Sequence, residues 1–437
     1  MPGWPASRAG KLAPMSVAEH NLTDRISYED LYRRWEGSNW SATAIDLTTD
    51  QAGWAGLSQI QRDSAMWIYS MFFYGEDSVT DNLSPYIDAA PSEEMKYFLA
   101  TQQVDEARHA IFFHRFFKEV IGAGEGISET LAATAPHLNW GYRKIFDRLD
   151  RMAGELRKDR SLPKFAQAIT PYHLIVEATL AQPGQHFIED FFVKAGTMPG
   201  FSEGMANISR DEQRHIGFGV KVLSELLRES DECKAAVDEL LAEALQWTSS
   251  VFIPPGWNRE YTRCYGFELE DIGEWGMRAV EQKWRAIGYP IEEMPPGTFP
   301  IDNSATPRER AAMMIRMTEA RIVGEPGLKP ENSPEAQALY FDLVSRSVDG
   351  AAVGAAPFSI QWRFSDAEPW HLIVANGSTK AEQGVISVPD VALESSWEDF
   401  IEIGKGAIAP PRALLQRRLK VSGGPRNLLR FRKLMAR

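Results

Sequence analysis

Two copies of one short pattern constrain this chain most: Asp105-Glu106-Ala107-Arg108-His109 and Asp211-Glu212-Gln213-Arg214-His215. Each lies within a long stretch of helical apolar periodicity. Glu and His three apart share a helix face, so each pair can turn toward one metal ion. The pattern alone is weak, because Glu368-Pro369-Trp370-His371 also fits it, and there Pro369 and a strand-like run remove the helix. What gives the repeat its force is a carboxylate upstream of each copy. Glu76 follows the apolar run Met71-Phe72-Phe73-Tyr74, and Glu177 sits between Ile175-Val176 and Ala178. Burying either unpaired would cost several kcal/mol. Metal binding removes that objection, because dinuclear sites in helical bundles take one carboxylate from each of two helices and a Glu-x-x-His from each of the other two. The expected ligands are therefore Glu76, Glu106, His109, Glu177, Glu212 and His215. Four carboxylates with two imidazoles suit iron or manganese better than a soft metal. Asp105 and Asp211 are expected to accept the second ring N–H of the ligand histidine on the opposite helix. His114, His137, His173 and His186 lack such company and read as structural or surface residues.

A chain of 437 residues is too long for one ordinary core. Apolar periodicity predicts helices through Ile68–Val79, from Ser92 to about Ile121, over about Leu162–Val193 with kinks at Pro171 and Pro183, and over about Phe201–Arg228. Further helices follow to about Gly288. Residues 289–306 read as a linker, and Thr306-Pro307 opens a helix to about Val323. Beyond Pro334 the texture becomes α+β. Strands are expected at Phe358–Phe364, Trp370–Ala375 and Gly384–Val388, and short helices near Trp397–Gly404 and Pro411–Arg418. The resulting division is an N-terminal extension (1–24), a metal-binding helical domain (25–290), a linker with a helix (291–334) and a C-terminal domain (335–437).

Composition excludes several classes of function. The two cysteines, Cys233 and Cys264, exclude a disulfide framework and a thiolate-rich metal site. A net charge of −13 argues against nucleic acid as a partner. Residues 411–437 hold nine Arg or Lys and neither Asp nor Glu, which suits either peripheral contact with an anionic membrane or a solvated helix packed against the acidic large domain. No apolar run reaches transmembrane length and the start lacks a signal-peptide layout, so a cytoplasmic protein is expected.

Over about residues 25–290 the chain resembles the small subunit of class I ribonucleotide reductase and its relatives, which implies a ferritin-like bundle. Two departures point to a sister group. Glu76 stands where the typical reductase subunit has aspartate, and Phe113 where that subunit has its radical tyrosine. The stretches Leu31–Trp40, Gly75–Thr80 and Tyr172–Glu177 are similar to those of ligand-binding oxidases, which assemble a manganese–iron pair and hold a long-chain fatty acid beside it. That resemblance implies manganese with Glu76, Glu106 and His109, iron with Glu177, Glu212 and His215, dioxygen as co-substrate, and a homodimer. A di-iron pair is the alternative. It also implies an ether bond from the Tyr172 oxygen to the β-carbon of Val79. An offset of five from Tyr172 to Glu177 is not a same-face spacing on a regular helix, so this requires distortion after Pro171.

Residues 335–437 resemble the sterol carrier protein type 2 fold through Glu368–Gly377, Pro389–Leu393 and Trp397–Gly404, implying an apolar lipid tunnel. The expected fold class is thus mainly α, with a smaller C-terminal α+β domain. Two other functions stay open: a reductase subunit without the radical tyrosine, and a lipid carrier whose metal site is structural.

Overall fold

The computed structural model describes residues 26–181, 184, 196–354 and 356–435. The N-terminal extension, Pro183 and His186 lie outside the described residues. Among those described, no helix is long and apolar enough to cross a membrane.

Local chemistry starts the helices, and at Ser92 it does so where the sequence predicts. Helix α1 (Tyr28–Gly37) and α2 (Gln59–Asn82) open on capping boxes, Ser27 with Asp30 and Ser58 with Gln61. Helix α3 (Glu93–Phe116) opens at Ser92, whose side chain accepts the Met95 N–H, with Glu93 and Glu94 in the first turn. It ends in a π turn, Phe117–Ile121, closed by left-handed Gly122. Then come α4 (Trp140–Leu156) and α5 (Leu162–Ile169), α6 (Pro199–Glu229), α7 (Asp231–Thr248) and α8 (Leu269–Ile287). Between α5 and α6, Thr170–Ala181 forms a π-helix. The predicted kink at Pro171 is therefore a change of helix type, in which bonding from i to i+5 accommodates the missing proline N–H.

The bundle core is rich in aromatic rings. Phe112, Phe113, Phe116 and Phe201 pack together, with Phe116 and Phe201 centroids 4.5 Å apart. Helix α6 approaches the π-helix so closely that a Cβ on Gly219 would lie 2.3 Å from Cβ of His173. Gly219→Ala should lower stability by about 1–3 kcal/mol, read as a lower thermal midpoint. An unchanged midpoint would contradict this packing.

Helix α9 (Pro307–Glu319) packs against α8 and leads to α10 (Pro334–Ser347). The five-stranded sheet runs β3-β2-β1-β4-β5, from β1 (Phe358–Phe364), β2 (Trp370–Ala375), β3 (Ser378–Gln383), β4 (Val391–Ser395) and β5 (Leu419–Gly423). Strands β1 and β4 pair in parallel and the other neighbours antiparallel. Helices α11 (Trp397–Gly404) and α12 (Pro425–Met435) complete this part. Phe341 of α10 stacks on Trp370 at 4.7 Å and lies against Trp362 and Phe400.

The strand expected at Gly384–Val388 is not one. The third strand is the polar run Ser378–Gln383, an edge strand with little burial. Val385 and Val388 are 65% and 84% exposed, and the Ile386 N–H donates to the Gln361 side chain instead of to a neighbouring strand. Hydrophobic texture misplaces this strand because edge strands need no apolar face.

Candidate metal centre

The four elements bring the six expected ligands to one buried point. Helix α2 carries Glu76, α3 carries Glu106 and His109, the π-helix carries Glu177, and α6 carries Glu212 and His215; all six are buried. Two groups could each hold an ion: Glu76, Glu106, His109 and Glu212, and Glu106, Glu177 and His215.

The distances refine the expected pairing of each glutamate with its own histidine. Glu106 turns Oε2 to His109 Nδ1 at 3.5 Å and Oε1 to His215 Nδ1 at 3.2 Å. Glu212 does the same, with Oε1 3.5 Å from His109 Nδ1 and Oε2 3.6 Å from His215 Nδ1. Both carboxylates thus face both positions. Glu76 Oε2 lies only on the first side, 3.2 Å from His109 Nδ1, and Glu177 Oε1 on the second, 3.6 Å from His215 Nδ1.

The opposite edge of each imidazole is held across the bundle. His109 Nε2 lies 3.2 Å from Asp211 Oδ2, and His215 Nε2 lies 3.2 Å from Asp105 Oδ2. Arg214 donates to both aspartates, at 3.0 Å to Asp105 and 2.6 Å to Asp211, while Arg108 donates to Asp105 at 3.1 Å. Trp35 and Trp40 donate indole N–H groups to Asp105 and Asp211, at 2.9 and 2.7 Å. Burial opposes the charge on Asp211, yet His109, Arg214 and Trp40 hold its carboxyl well below the usual carboxylate range. An aspartate fixed in this way keeps the proton on Nε2 and leaves Nδ1 free for a metal. Asp211→Asn should therefore weaken metal affinity by roughly 10 to 100-fold in competition with a chelator. An unchanged affinity would remove Asp211 from this role.

The donor atoms fit a cation pair. Among the described residues, Glu177 Oε2, Glu212 Oε2 and His215 Nδ1 are buried and have no hydrogen-bond partner. Burial pushes the Glu76 carboxyl well above its ordinary range, and burial with the neighbouring Glu212 pushes Glu177 up to about 8. Cations bound here would compete with protons for these carboxyls.

Tyr172 is within this network. Its hydroxyl donates to Glu106 Oε1 at 2.7 Å, and Gln102 Nε2 donates both to that hydroxyl at 2.9 Å and to Glu177 Oε1 at 2.8 Å. The π-helix brings Tyr172 and Glu177, five residues apart, onto one face, which an α-helix would not do. Val79, one turn beyond Glu76, lines an approximately 60 Å³ cavity together with Glu106, Glu177, Val176 and Phe252. That volume suits molecules as small as dioxygen.

Arg108 and Arg214 occupy the same place in both copies of the repeat, a signal that sequence reasoning did not use. Gln102 carried no such signal. His114 instead bonds Thr130 at 2.9 Å, His173 bonds Gln102 at 3.1 Å, and neither joins the ligand cluster.

The family model for the ribonucleotide reductase small chain matches residues 23–251, and that for the alkyl sulfatase C-terminal region matches residues 336–437. A tyrosine-to-phenylalanine variant of an R2-like ligand-binding oxidase with aerobically reconstituted Mn/Fe cofactor is 25% identical at TM-score 0.51, over 60% of this chain and 93% of its own. An R2-like ligand-binding oxidase with aerobically reconstituted metal cofactor after photoconversion is 24% identical at TM-score 0.54, over 60% and 93%. The R2-like ligand-binding oxidase from Sulfolobus acidocaldarius is 23% identical at TM-score 0.51, over 65% and 94%.

Proposed function

Because the chain belongs to the ribonucleotide reductase small-chain family, we propose that it is a dioxygen-using, ligand-binding oxidase holding one manganese and one iron ion. The observation that carries this reading is the pair of carboxylates, Glu106 and Glu212, each presenting one oxygen to His109 and the other to His215. Manganese would be held by Glu76, Glu106 and His109, and iron by Glu177, Glu212 and His215, with Glu106 and Glu212 shared. The Mn/Fe cofactor of an R2-like ligand-binding oxidase at 25% identity supports the metal choice. When bound, such a pair supplies electrons to dioxygen and the oxidising power to draw hydrogen from a nearby C–H or O–H bond.

The chain's own residues prepare this chemistry. Asp105 and Asp211 orient the imidazoles, and the apolar wall of Phe72, Val79, Val176 and Phe252 excludes water from the open side of the centre. Burial, with the carboxylates of Glu106 and Glu177, keeps the Tyr172 phenol protonated, so its hydrogen is present to be removed. Phe113 is fully buried and stacks near Phe72, placing no phenol there, which favours an oxidase over a radical-storing reductase subunit. The substrate or held ligand is a long-chain fatty acid or other lipid, and the C-terminal domain, read as sterol carrier protein type 2-like, is a lipid-binding partner domain. Protein reconstituted with both metals under air should hold close to stoichiometric manganese and iron and release long-chain lipid on extraction. No more than trace metal in elemental analysis would overturn the assignment.

A further inference from the structure

The metal pocket shares a wall with a much larger cavity. That second cavity has a volume of about 580 Å³ and lies between the bundle and the C-terminal domain. Met277 of α8 and Met314 of α9 border it from one side, and Leu343 of α10, Trp362 of β1 and Phe400 of α11 from the other. Leu180 and Phe252 line both cavities. The partition therefore includes two apolar side chains, which can change rotamer.

We propose that the two cavities form one elongated site for a single unbranched long acyl chain, lying between the domains at one end and against the metal centre at the other. This rests on the oxidase reading for what happens at the metal end. Size supports it: the interdomain cavity falls within the ~300–1,000 Å³ typical of ligand sites, whereas 60 Å³ at the metals cannot hold a lipid. The lining supports it as well, since flexible methionines and aromatic rings accept an apolar chain without fixed polar partners. Gly276 of α8 keeps the space open, because a Cβ there would find only the Thr179 carbonyl oxygen, at 3.8 Å. Sequence reading predicts a set of metal ligands and, separately, a lipid-binding domain. The shared wall, contributed by residues far apart in the chain, is visible only in the fold.

The test uses the full chain, reconstituted with manganese and iron under air, and fatty acids carrying a photoreactive diazirine at successive carbons. Irradiation followed by peptide mapping should shift the label between metal-pocket residues such as Phe72 and Val176 and interdomain residues such as Met314 and Leu343 as the diazirine moves along the chain. Binding of unmodified acids should tighten by up to roughly fourfold per added methylene, the equivalent of ~0.8 kcal/mol. Gly276→Trp, and independently Leu343→Trp from the opposite wall, should each weaken long-chain binding at least about tenfold while metal content stays at the wild-type level. Labels confined to one cavity for every probe would overturn the proposal, as would wild-type affinity in both tryptophan variants. Labels in both cavities of a protein that takes up neither metal would instead preserve the long site and sink the oxidase reading. Full metal content with labels only at the metal pocket would do the reverse.

Discussion

Replacing Glu212 by alanine should empty both metal positions together. Each of its oxygens faces a different imidazole, at 3.5 Å from His109 Nδ1 and 3.6 Å from His215 Nδ1, so one truncation takes a donor from both ions. It also leaves the remaining buried carboxylates and imidazoles with a charge pattern built around a missing member. Glu106→Ala should behave alike. The loss should exceed the ~10 to 100-fold expected when only an outer hydrogen-bond partner of a ligand is changed. Glu76→Ala should be more selective, since Glu76 approaches only the His109 side and the Glu177–His215 side keeps its donors. Elemental analysis of proteins reconstituted in parallel would show the pattern. If Glu212→Ala loses one metal while retaining the other in full, the shared-carboxylate geometry is wrong; if it retains both, the site is elsewhere.

Protein reconstituted with manganese and iron under air should weigh two hydrogens less than protein reconstituted without oxygen. Val79 carries a tertiary Cβ–H one turn beyond Glu76, and its side chain lines the cavity onto which Glu106 and Glu177 open. Tyr172 holds its phenol against Glu106 at 2.7 Å. An ether forms when the phenolic hydrogen and the Val79 Cβ hydrogen leave, with their two electrons going to dioxygen, and a bond joins the Tyr172 oxygen to that carbon. A proteolytic digest should then contain a branched peptide joining the two segments. Tyr172→Phe and Val79→Ala should each abolish the branch nearly completely. Metal content should survive both changes, because neither residue supplies a proposed ligand. Linear peptides alone, from fully metallated wild type exposed to air, would rule out the bond and leave an oxygen-using centre that does not modify itself.

Much of this centre was legible because its code is local. Glu106 and His109, or Glu212 and His215, fall on one face through helical spacing alone, and the neighbours of Glu76 and Glu177 are apolar enough to announce burial. The capping residue Ser92 likewise marks its helix start. The polar edge strand Ser378–Gln383 was not legible, because a strand paired on one side carries no apolar alternation strong enough to identify it.

By itself the sequence determined which side chains could serve as ligands, which helices carry them, and that Asp105 and Asp211 were available behind the histidines. Tertiary structure decided that Glu106 and Glu212 each face both histidines, that Thr170–Ala181 winds as a π-helix and so aligns Tyr172 with Glu177, and that Leu180 and Phe252 divide the metal pocket from an interdomain cavity. The physical reason is range. Periodicity and capping act within one or two turns, whereas the facing of one helix toward another is settled only when their side chains pack and the buried charges find partners.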